Sequence, residues 1–597
     1  MGRAQRPPCF QCRCRKVRCD RRPGCCNNCE RLDFACSFKK NTSILTNRRP
    51  SPKETVQNRP ERRRGTQACI ECRRQKARCS GELPECANCH RRQRSCQYPQ
   101  ANQSNNIADN LVEVRQPQEV PGDTSSATTS DELFESINVY FQHLYPIPSF
   151  AFLHEPTIRQ QCESGTLDHN LAMSIATTVD LWLPRGQKPS EKINLCIDSV
   201  EQGIWNQLDR PCIRQLQCLM LIVHCHIHLG HFSRAYMLAG LAGRAVTALR
   251  LNYERPELSF IAQETRRRVL WALTSIDGFF SVGLPEYETI PHAIIYQRLP
   301  ISEKAFREGI PQSQLTARRS SLSAASAEDG GLLADCIQLS KISKDIMRLT
   351  RQLALSEQPL LQLGGLIQEI QNDLLRFQSD VELSVGHQVA ALANLEDMAR
   401  SRWFARILQV TATWHQAHCD LYRLFLPNYQ AVAPRIIMDT IEPSMKDHAL
   451  AKCEEHVQHI NHIMQELLHL PKEQILPRYI AVCAYHATRL SLFLAASPDW
   501  KVQTDTATAI KNAEISLSVL QKFFSNLPFT DRIIQDMQDL VRLSHDRPGA
   551  IYKELCCPSP PFDQGRHRHS HLAVHSLVRQ ANFVDDGYEE SCNDSVN

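Results

Sequence analysis

Apolar residues recur every three to four positions through the large central part of the chain. One such set ends at Gly230 and has the spacing of a single helix face. Its members are Ile213, Leu216, Leu219, Met220, Val223 and Ile227. The same period predicts a helix from about Ser233 to Arg250 and another from about Gln263 that includes Phe280. Because strand-like alternation is scarce, the pattern predicts a large all-α domain over residues 131–550.

The segments on either side of this region lack the helical period. Residues 97–130 are rich in Asn, Gln, Ser, Thr and Pro and contain no sustained heptad of apolar residues. We therefore expect a disordered linker at residues 101–130, with no coiled coil for dimerisation, and a mostly disordered tail at residues 551–597.

Two copies of one cysteine pattern lie sixty residues apart before this linker. Each reads C-x2-C-x6-C-x6-C-x2-C-x6-C. The first copy consists of Cys9, Cys12, Cys19, Cys26, Cys29 and Cys36, and the second of Cys69, Cys72, Cys79, Cys86, Cys89 and Cys96. Two zinc tetrahedra need about eight metal–sulfur bonds, so six thiolates complete both only if two of them bridge. Each copy predicts a binuclear cluster, which gives two zinc ions per cluster and about four per chain.

Cysteine usage indicates a reducing compartment. Of the 26 cysteines, 14 lie in the first 100 residues. Residues 1–8 are basic and polar, so we expect no secretory signal. The longest apolar run, Cys218 to Val223, is too short to cross a bilayer, and we expect no membrane partner. Clustered thiols in a reducing compartment bind metal more often than they form disulfides.

Charge is divided unevenly along the chain. Residues 1–100 contain 25 Lys and Arg against 8 Asp and Glu, whereas the whole chain has a formal net charge of only +5. A basic head on an acidic body favours a polyanionic partner for the head, and nucleic acid is the usual one.

The cysteine pattern resembles that of the fungal zinc binuclear cluster family of transcription regulators. The resemblance implies zinc modules at residues 1–40 and 66–100, in which little other core is needed. It also implies that the first and fourth cysteines of each copy bridge the two ions. These bridging residues are Cys9 and Cys26 in the first module, and Cys69 and Cys86 in the second.

Two cysteines of the first copy are surplus. Cys14 and Cys25 correspond to an arginine and a glutamate in the second copy, so neither is assigned as a ligand. The family usually has proline two residues before the fourth cysteine, but Pro23 lies two before Cys25. A register that uses Cys25 breaks the C-x2-C spacing, which favours Cys26 as the fourth ligand.

Basic residues fill the interval between the second and third cysteines of each copy. They are Arg13, Arg15, Lys16 and Arg18 in the first copy, and Arg73, Arg74, Lys76 and Arg78 in the second. A short helix with this charge can enter the major groove, where Lys or Arg donates to guanine O6 and N7 and other Arg side chains contact phosphates. The resemblance implies that Lys16 and Lys76 each read a CGG-like triplet of double-stranded DNA.

The segment between the modules carries two more basic clusters. Within residues 41–65 these are Arg48 and Arg49, followed by Arg62, Arg63 and Arg64. This spacing is typical of a bipartite nuclear localisation signal and predicts a nuclear protein, although extra phosphate contacts explain the same charges. As a flexible coil, the 32 residues from Ser37 to Ala68 would span about 30 Å, close to one DNA turn of about 34 Å.

Parts of the helical region resemble the regulatory middle domain of the same family. They are Tyr140–Pro156, the Glu264–Trp271 helix with Gly283-Leu284-Pro285 after it, and Trp414–Pro427. The simpler explanation for single residues is that Trp271 packs in the core and that Arg266 to Arg268 form a solvated or salt-bridged face.

The sequence favours a sequence-specific transcription factor of the fungal RNA polymerase II type. The resemblance implies control of a metabolic or secondary-metabolite gene set, with the transcription machinery or co-regulators and a small-molecule effector of the helical domain as further partners. Two alternatives stay open: only one cluster reads DNA, or the modules serve an enzyme or a metal-buffering protein. We expect no enzyme, since Gly-rich phosphate loops, G-x-S-x-G and H-E-x-x-H are missing from the sequence.

Overall fold

The structure is a computed structural model. It describes residues 9, 12, 19, 20, 22, 26–31, 71, 72, 87–94, 130–183, 191–310, 331–356, 358, 362–385, 395–429, 433–498, 500, 502–556, 573–581 and 583. The chain divides into two compact units, residues 1–122 and 123–597, which are called the head and the body below.

The head contains two short helices at equivalent places in the cysteine repeat. Helix α1 (Asn27–Arg31) follows Cys26, and helix α2 (Ala87–Arg91) begins sixty residues later. Asp20 stabilises the start of α1, because its carboxylate oxygens accept the backbone N–H of Asn27 at 3.2 and 3.3 Å. Cys29 and Cys89 are both buried on these helices.

The body is built from helices, and its described residues contain no β-strand. The first helices are α3 (Ser130–Val139), α4 (Glu155–Glu163), α5 (His169–Trp182), α6 (Glu191–Trp205), α7 (Ile213–His228), α8 (Phe232–Ala248), α9 (Phe260–Ser281), α10 (Glu303–Glu308) and α11 (Leu332–Ala354). The later ones are α12 (Leu363–Val385), α13 (Leu395–Ala399), α14 (Phe404–Tyr422), α15 (Arg435–Met438), α16 (Pro443–His469), α17 (Tyr479–Ala496), α18 (Thr506–Phe524), α19 (Asp531–Asp546), α20 (Pro548–Cys556) and α21 (Leu577–Gln580).

Two helices form the centres of the body. Helix α7 is buried almost all round and packs against α5 and α8, while α14 packs against α11, α16 and α17. A helix without a polar face must be covered on every side, which explains why these two lie inside. The predicted helices after residues 213, 233 and 263 are confirmed as α7, α8 and α9.

Parts of the region 551–597, predicted as a mostly disordered tail, are described by the structure. Helix α20 extends past residue 550, and the segment 573–581 packs into the body. Leu577 and Val578 are buried, and Ser576 Oγ donates to the backbone oxygen of Phe280 at 2.7 Å. A docked piece this short has too few apolar residues to show a period in the sequence, so only the packing reveals it.

A buried ionic network joins the segments that resemble the regulatory middle domain. Glu303 Oε1 accepts from Arg268 Nη1 and from Arg406 Nη1, each at 2.7 Å, and Tyr145 donates its hydroxyl to Glu303 Oε2 at 2.7 Å. Arg268 Nε also donates to Glu264 Oε1 at 2.9 Å. Arg267 and Arg268 are therefore buried and salt-bridged, whereas Arg266 is buried and donates through Nη2 to the backbone oxygen of Leu249 at 2.7 Å.

Among the described helices, one is long and apolar enough to cross a membrane by length and composition. This helix is α17, and 67% of its apolar window is buried within the body. It packs against α14, α16 and α18, which accounts for its apolar surface.

Candidate metal centre and nucleic-acid interface

Four cysteines of the first repeat converge in the head. The sulfurs of Cys9, Cys12, Cys19 and Cys26 all lie within 4.8 Å of one another. Cys12 Sγ is 3.5 Å from Cys26 Sγ, and Cys9 Sγ is 3.7 Å from both Cys26 Sγ and Cys29 Sγ. The spacing of the repeat thus brings five sulfurs from two separate C-x2-C pairs and one single cysteine to one place.

These distances suit a tetrahedral thiolate site. Zinc–sulfur bonds of about 2.3 Å give a tetrahedron whose edges are about 3.8 Å. The Cys9–Cys26, Cys9–Cys29 and Cys12–Cys26 sulfur separations of 3.5–3.7 Å are close to that edge. Soft thiolates are the ligands that zinc prefers in structural sites, so the donor set present fits this metal.

In each C-x2-C pair of the first copy, a backbone N–H also donates to a cysteine sulfur. In the first pair, the Cys12 N–H donates to Cys9 Sγ at 3.4 Å, and in the second, the Cys29 N–H donates to Cys26 Sγ at 3.4 Å. The Cys9 N–H donates in turn to Cys19 Sγ at 3.5 Å. Such N–H groups stabilise the charged form of an acceptor, which prepares these sulfurs to act as thiolates.

Burial of the cysteine side chains opposes formation of the thiolate. It raises the pKa of the Cys9 thiol and also that of Cys26, although the backbone N–H groups oppose this rise. Metal binding requires loss of these protons, so occupancy of the site depends on pH.

An asparagine contacts sulfur at the same place in both copies. Asn28 Nδ2 donates to Cys12 Sγ at 3.8 Å, and Asn88 Nδ2 donates to Cys72 Sγ at 3.3 Å. The sequence analysis missed these two residues, although the identical Asn-Cys dipeptides sixty residues apart carried the signal. A donor behind a metal ligand orients it and tunes its charge.

The structure describes fewer cysteines of the second cysteine copy than of the first. Cys72 and Cys89 are both buried, and their sulfurs lie 3.9 Å apart. The ion pair between Arg94 and Glu71, 3.6 Å from nitrogen to oxygen, joins the two ends of this module.

Many of the predicted site residues lie outside the described residues. They are the cysteines Cys14, Cys25, Cys36, Cys69, Cys79, Cys86 and Cys96, the predicted DNA contacts Arg13, Arg15, Lys16, Arg18, Arg73, Arg74, Lys76 and Arg78, and the predicted nuclear localisation residues Arg48, Arg49, Arg62, Arg63 and Arg64. The structure thus brings together Cys9, Cys12, Cys19, Cys26 and Cys29 in one copy, and Cys72 and Cys89 in the other.

The cysteine-rich head and the large helical body both have matches among known families of fungal transcription regulators. Residues 67–105 match the fungal Zn(2)-Cys(6) binuclear cluster domain, and residues 137–376 match the fungal specific transcription factor domain. The first match covers the second cysteine copy, so one cluster domain is supported at the family level. The second match covers the end of α3, all of α4 to α11 and the first part of α12.

The chain is also similar to fungal proteins that are named as transcription factors or regulators. The chain is 23% identical over 360 residues to the Zn(2)-C6 fungal-type transcription factor FTF1c of Fusarium oxysporum f. sp. lycopersici, which covers 42% of this chain and 38% of that protein. It is 24% identical over 183 residues to the transcription factor AN6788 of Emericella nidulans, covering 30% and 28% of the two chains. It is 27% identical over 133 residues to the aspyridones cluster regulator of Neocamarosporium betae, covering 19% and 29%.

The matched region spans only about a third of the length of these relatives. Together, the two domain matches and the relatives support placing the chain in the family of fungal Zn(2)-Cys(6) transcription factors. The family is one of DNA-binding transcription regulators rather than enzymes, and it implies zinc and a nuclear location.

Proposed function

We propose that the protein is a nuclear transcription factor that reads DNA with two tandem zinc clusters on one chain. The observation that carries this proposal is the convergence of five sulfurs in the first copy, at separations of a zinc–thiolate tetrahedron. The second copy has the same spacing and an equivalent Asn–Cys contact, and it matches the cluster domain of the family.

In this proposal each cluster holds two zinc ions, which makes about four per chain. Cys9 and Cys26 bridge the ions of the first cluster, consistent with the approach of Cys9 to Cys29 and of Cys26 to Cys12. Cys69 and Cys86 take the same role in the second. When bound, zinc supplies the folding energy that such a small module lacks.

Lys16 and Lys76 each read one CGG-like triplet in the major groove, and the neighbouring arginines contact phosphates. The 32-residue connection keeps the two readers within about one DNA turn of each other. Once one cluster has bound DNA, the other cluster binds at a high effective concentration. The affinity of the two clusters together is therefore higher than that of either cluster alone.

The alternative that only the second cluster reads DNA is favoured by one observation, the family match to residues 67–105 alone. In vitro selection of DNA sites separates the two cases. Wild type should select two triplets, whereas Lys16→Ala and Lys76→Ala should each lose preference at one triplet, at a cost of about 1–3 kcal/mol.

The matched control is Lys53→Ala, a basic residue of the connecting segment outside both cysteine copies. It should weaken binding to all sequences alike without changing the selected site. If Lys16→Ala leaves both the selected site and the affinity unchanged, the tandem reader is wrong and the second cluster reads alone.

The same proposal assigns the helical body the task of receiving a regulatory signal. Control of a metabolic or secondary-metabolite gene set is proposed from the relatives, one of which is named the aspyridones cluster regulator. The transcription machinery and co-regulators are the proposed protein partners.

A further inference from the structure

A cavity of about 190 Å³ lies inside the body, among α5, α9, α11, α14 and the start of α17. Its walls are largely apolar and aromatic, and they include Phe150, Trp182, Phe279 and Phe529. A cavity of about 150 Å³ is enough to hold benzene, so this one accommodates a single ring with a small substituent.

Arg478 lines this cavity and is 92% buried. Its Nη1 and Nη2 atoms have no hydrogen-bond partner among the residues that the structure describes. Burial lowers the pKa of Arg478 to about 9, so its side chain is still charged at neutral pH. An uncompensated buried charge is strongly unfavourable, which makes this arginine unlike an ordinary core residue.

The other charges in the described lining are already matched. Asp420, the only carboxylate among the described lining residues, pairs with Arg423 at 2.8 Å. Lys344 lies 3.5 Å from Glu288. Burial lowers the pKa of His486, and it lowers that of His575 to about 3, so both histidines are neutral at physiological pH. Lys344 shares Glu288 with Arg348, so Arg478 is the cation of the described lining that has no carboxylate within ion-pair distance among the described residues.

The described groups around Arg478 accept no hydrogen bond from its Nη1 or Nη2. The rings of Trp182, Phe279 and Phe529 have their centroids 5.1, 5.5 and 5.1 Å from the guanidinium carbon, at cation–π distance. A guanidinium that packs on aromatic rings can still donate hydrogen bonds from its in-plane N–H groups. The spacing of these groups matches the two oxygens of a carboxylate. Arg478 occupies the N-cap position of α17 without a side-chain capping hydrogen bond, and the helix dipole favours an anion at this end.

We propose that this cavity binds a small monocarboxylate with one ring or a branched alkyl body, and that Arg478 Nη1 and Nη2 hold its carboxylate. This deepens the proposed function, on which its regulatory meaning rests, by naming the chemical class of the effector. The docked segment 573–581 forms one wall through Ala573, His575 and Leu577. Binding therefore favours the docked position of the chain's end.

Benzoate is the test probe, and benzamide is its uncharged counterpart of the same shape. Isothermal titration of the full zinc-loaded chain without DNA should show benzoate binding at least tenfold tighter than benzamide, because a charged hydrogen bond is worth roughly that factor or more. Benzoate should also slow amide hydrogen exchange in residues 573–581.

Arg478→Met is the decisive variant. It should lose the preference for benzoate and raise the Tm of the ligand-free protein, since an unpaired buried charge is replaced by an apolar chain. The matched control is Arg489→Met on the same helix, where Arg489 is paired with Asp536 at 2.8 Å. That variant should lower the Tm and leave benzoate binding unchanged.

Equal binding of benzoate and benzamide would overturn the proposal, as would full benzoate binding by Arg478→Met. A lowered Tm in ligand-free Arg478→Met would assign the arginine a structural role and also count against it. Since DNA is absent from these measurements, failure of triplet reading and failure of ligand binding are observed separately.

Discussion

At the scale of single residues, Glu303 is the side chain on which the interior of the body depends most. It accepts from two fully buried arginines, Arg268 and Arg406, and from the Tyr145 hydroxyl. Burial acts to raise the pKa of Glu303, but Arg268 and then Arg406 outweigh it and lower the pKa to about 2. Removal of this carboxylate would take the Glu303 ion pair from two buried arginines and leave Arg268 with Glu264 alone.

We predict that Glu303→Gln lowers the free energy of unfolding by about 3–5 kcal/mol at pH 7. Because the folded pKa lies below the ordinary value of 4.5 for a glutamate, the stabilisation from the carboxylate is complete above about pH 4.5 and is lost as pH falls towards 2. Urea unfolding at a series of pH values should show the difference between wild type and variant shrinking below pH 4.5.

The control for this measurement is Glu396→Gln, at an exposed position of α13. It should change the unfolding free energy by less than about 0.5 kcal/mol. A difference between wild type and Glu303→Gln that stays constant down to pH 3 would contradict the assigned ionisation.

At the scale of elements, helix α8 shows how close packing decides whether a glycine is needed. A Cβ on Gly243 would lie 2.2 Å from Thr289 Cγ2, whereas a Cβ on Gly240 would meet nothing within 4 Å. Thr289 cannot move freely, because its backbone N–H donates to the Asp277 carboxylate at 3.1 Å. The two glycines share a helix but have different structural roles.

We predict opposite effects of alanine at these two positions. Gly243→Ala should lower the free energy of unfolding by about 1–3 kcal/mol through overpacking. Gly240→Ala should raise it by about 0.5–1 kcal/mol, since alanine is the better helix former. Thermal and urea unfolding of both variants test this; equal effects would show that the contact with Thr289 does not constrain α8.

At the scale of the whole molecule, the head and the body depend on different forces. The head's described core is a group of cysteine sulfurs, whereas the body buries a continuous apolar core. Metal binding replaces hydrophobic burial in small modules, so the two units should respond differently to a chelator.

We predict that a strong zinc chelator abolishes DNA binding while the helical circular dichroism signal and the Tm of the body stay unchanged. Titration of released zinc should give about four ions per chain, and Cys29→Ala should lower that number. Cys212→Ser, an exposed body cysteine, is the matched control and should release as much zinc as wild type. A count near two in the wild type would exclude one of the clusters.

The sequence by itself determined the features that depend on spacing along the chain. The helical period predicted α7, α8 and α9, and the C-x2-C spacing predicted that Cys9, Cys12, Cys26 and Cys29 would meet, because a short turn fixes both sulfurs of a pair. The tertiary structure alone decided which distant groups become partners. It left Arg478 unpaired beside a cavity, joined Glu303 to Arg268 and Arg406, and docked segment 573–581 on the body. Such pairings depend on how helices pack, and no local period along the chain records them.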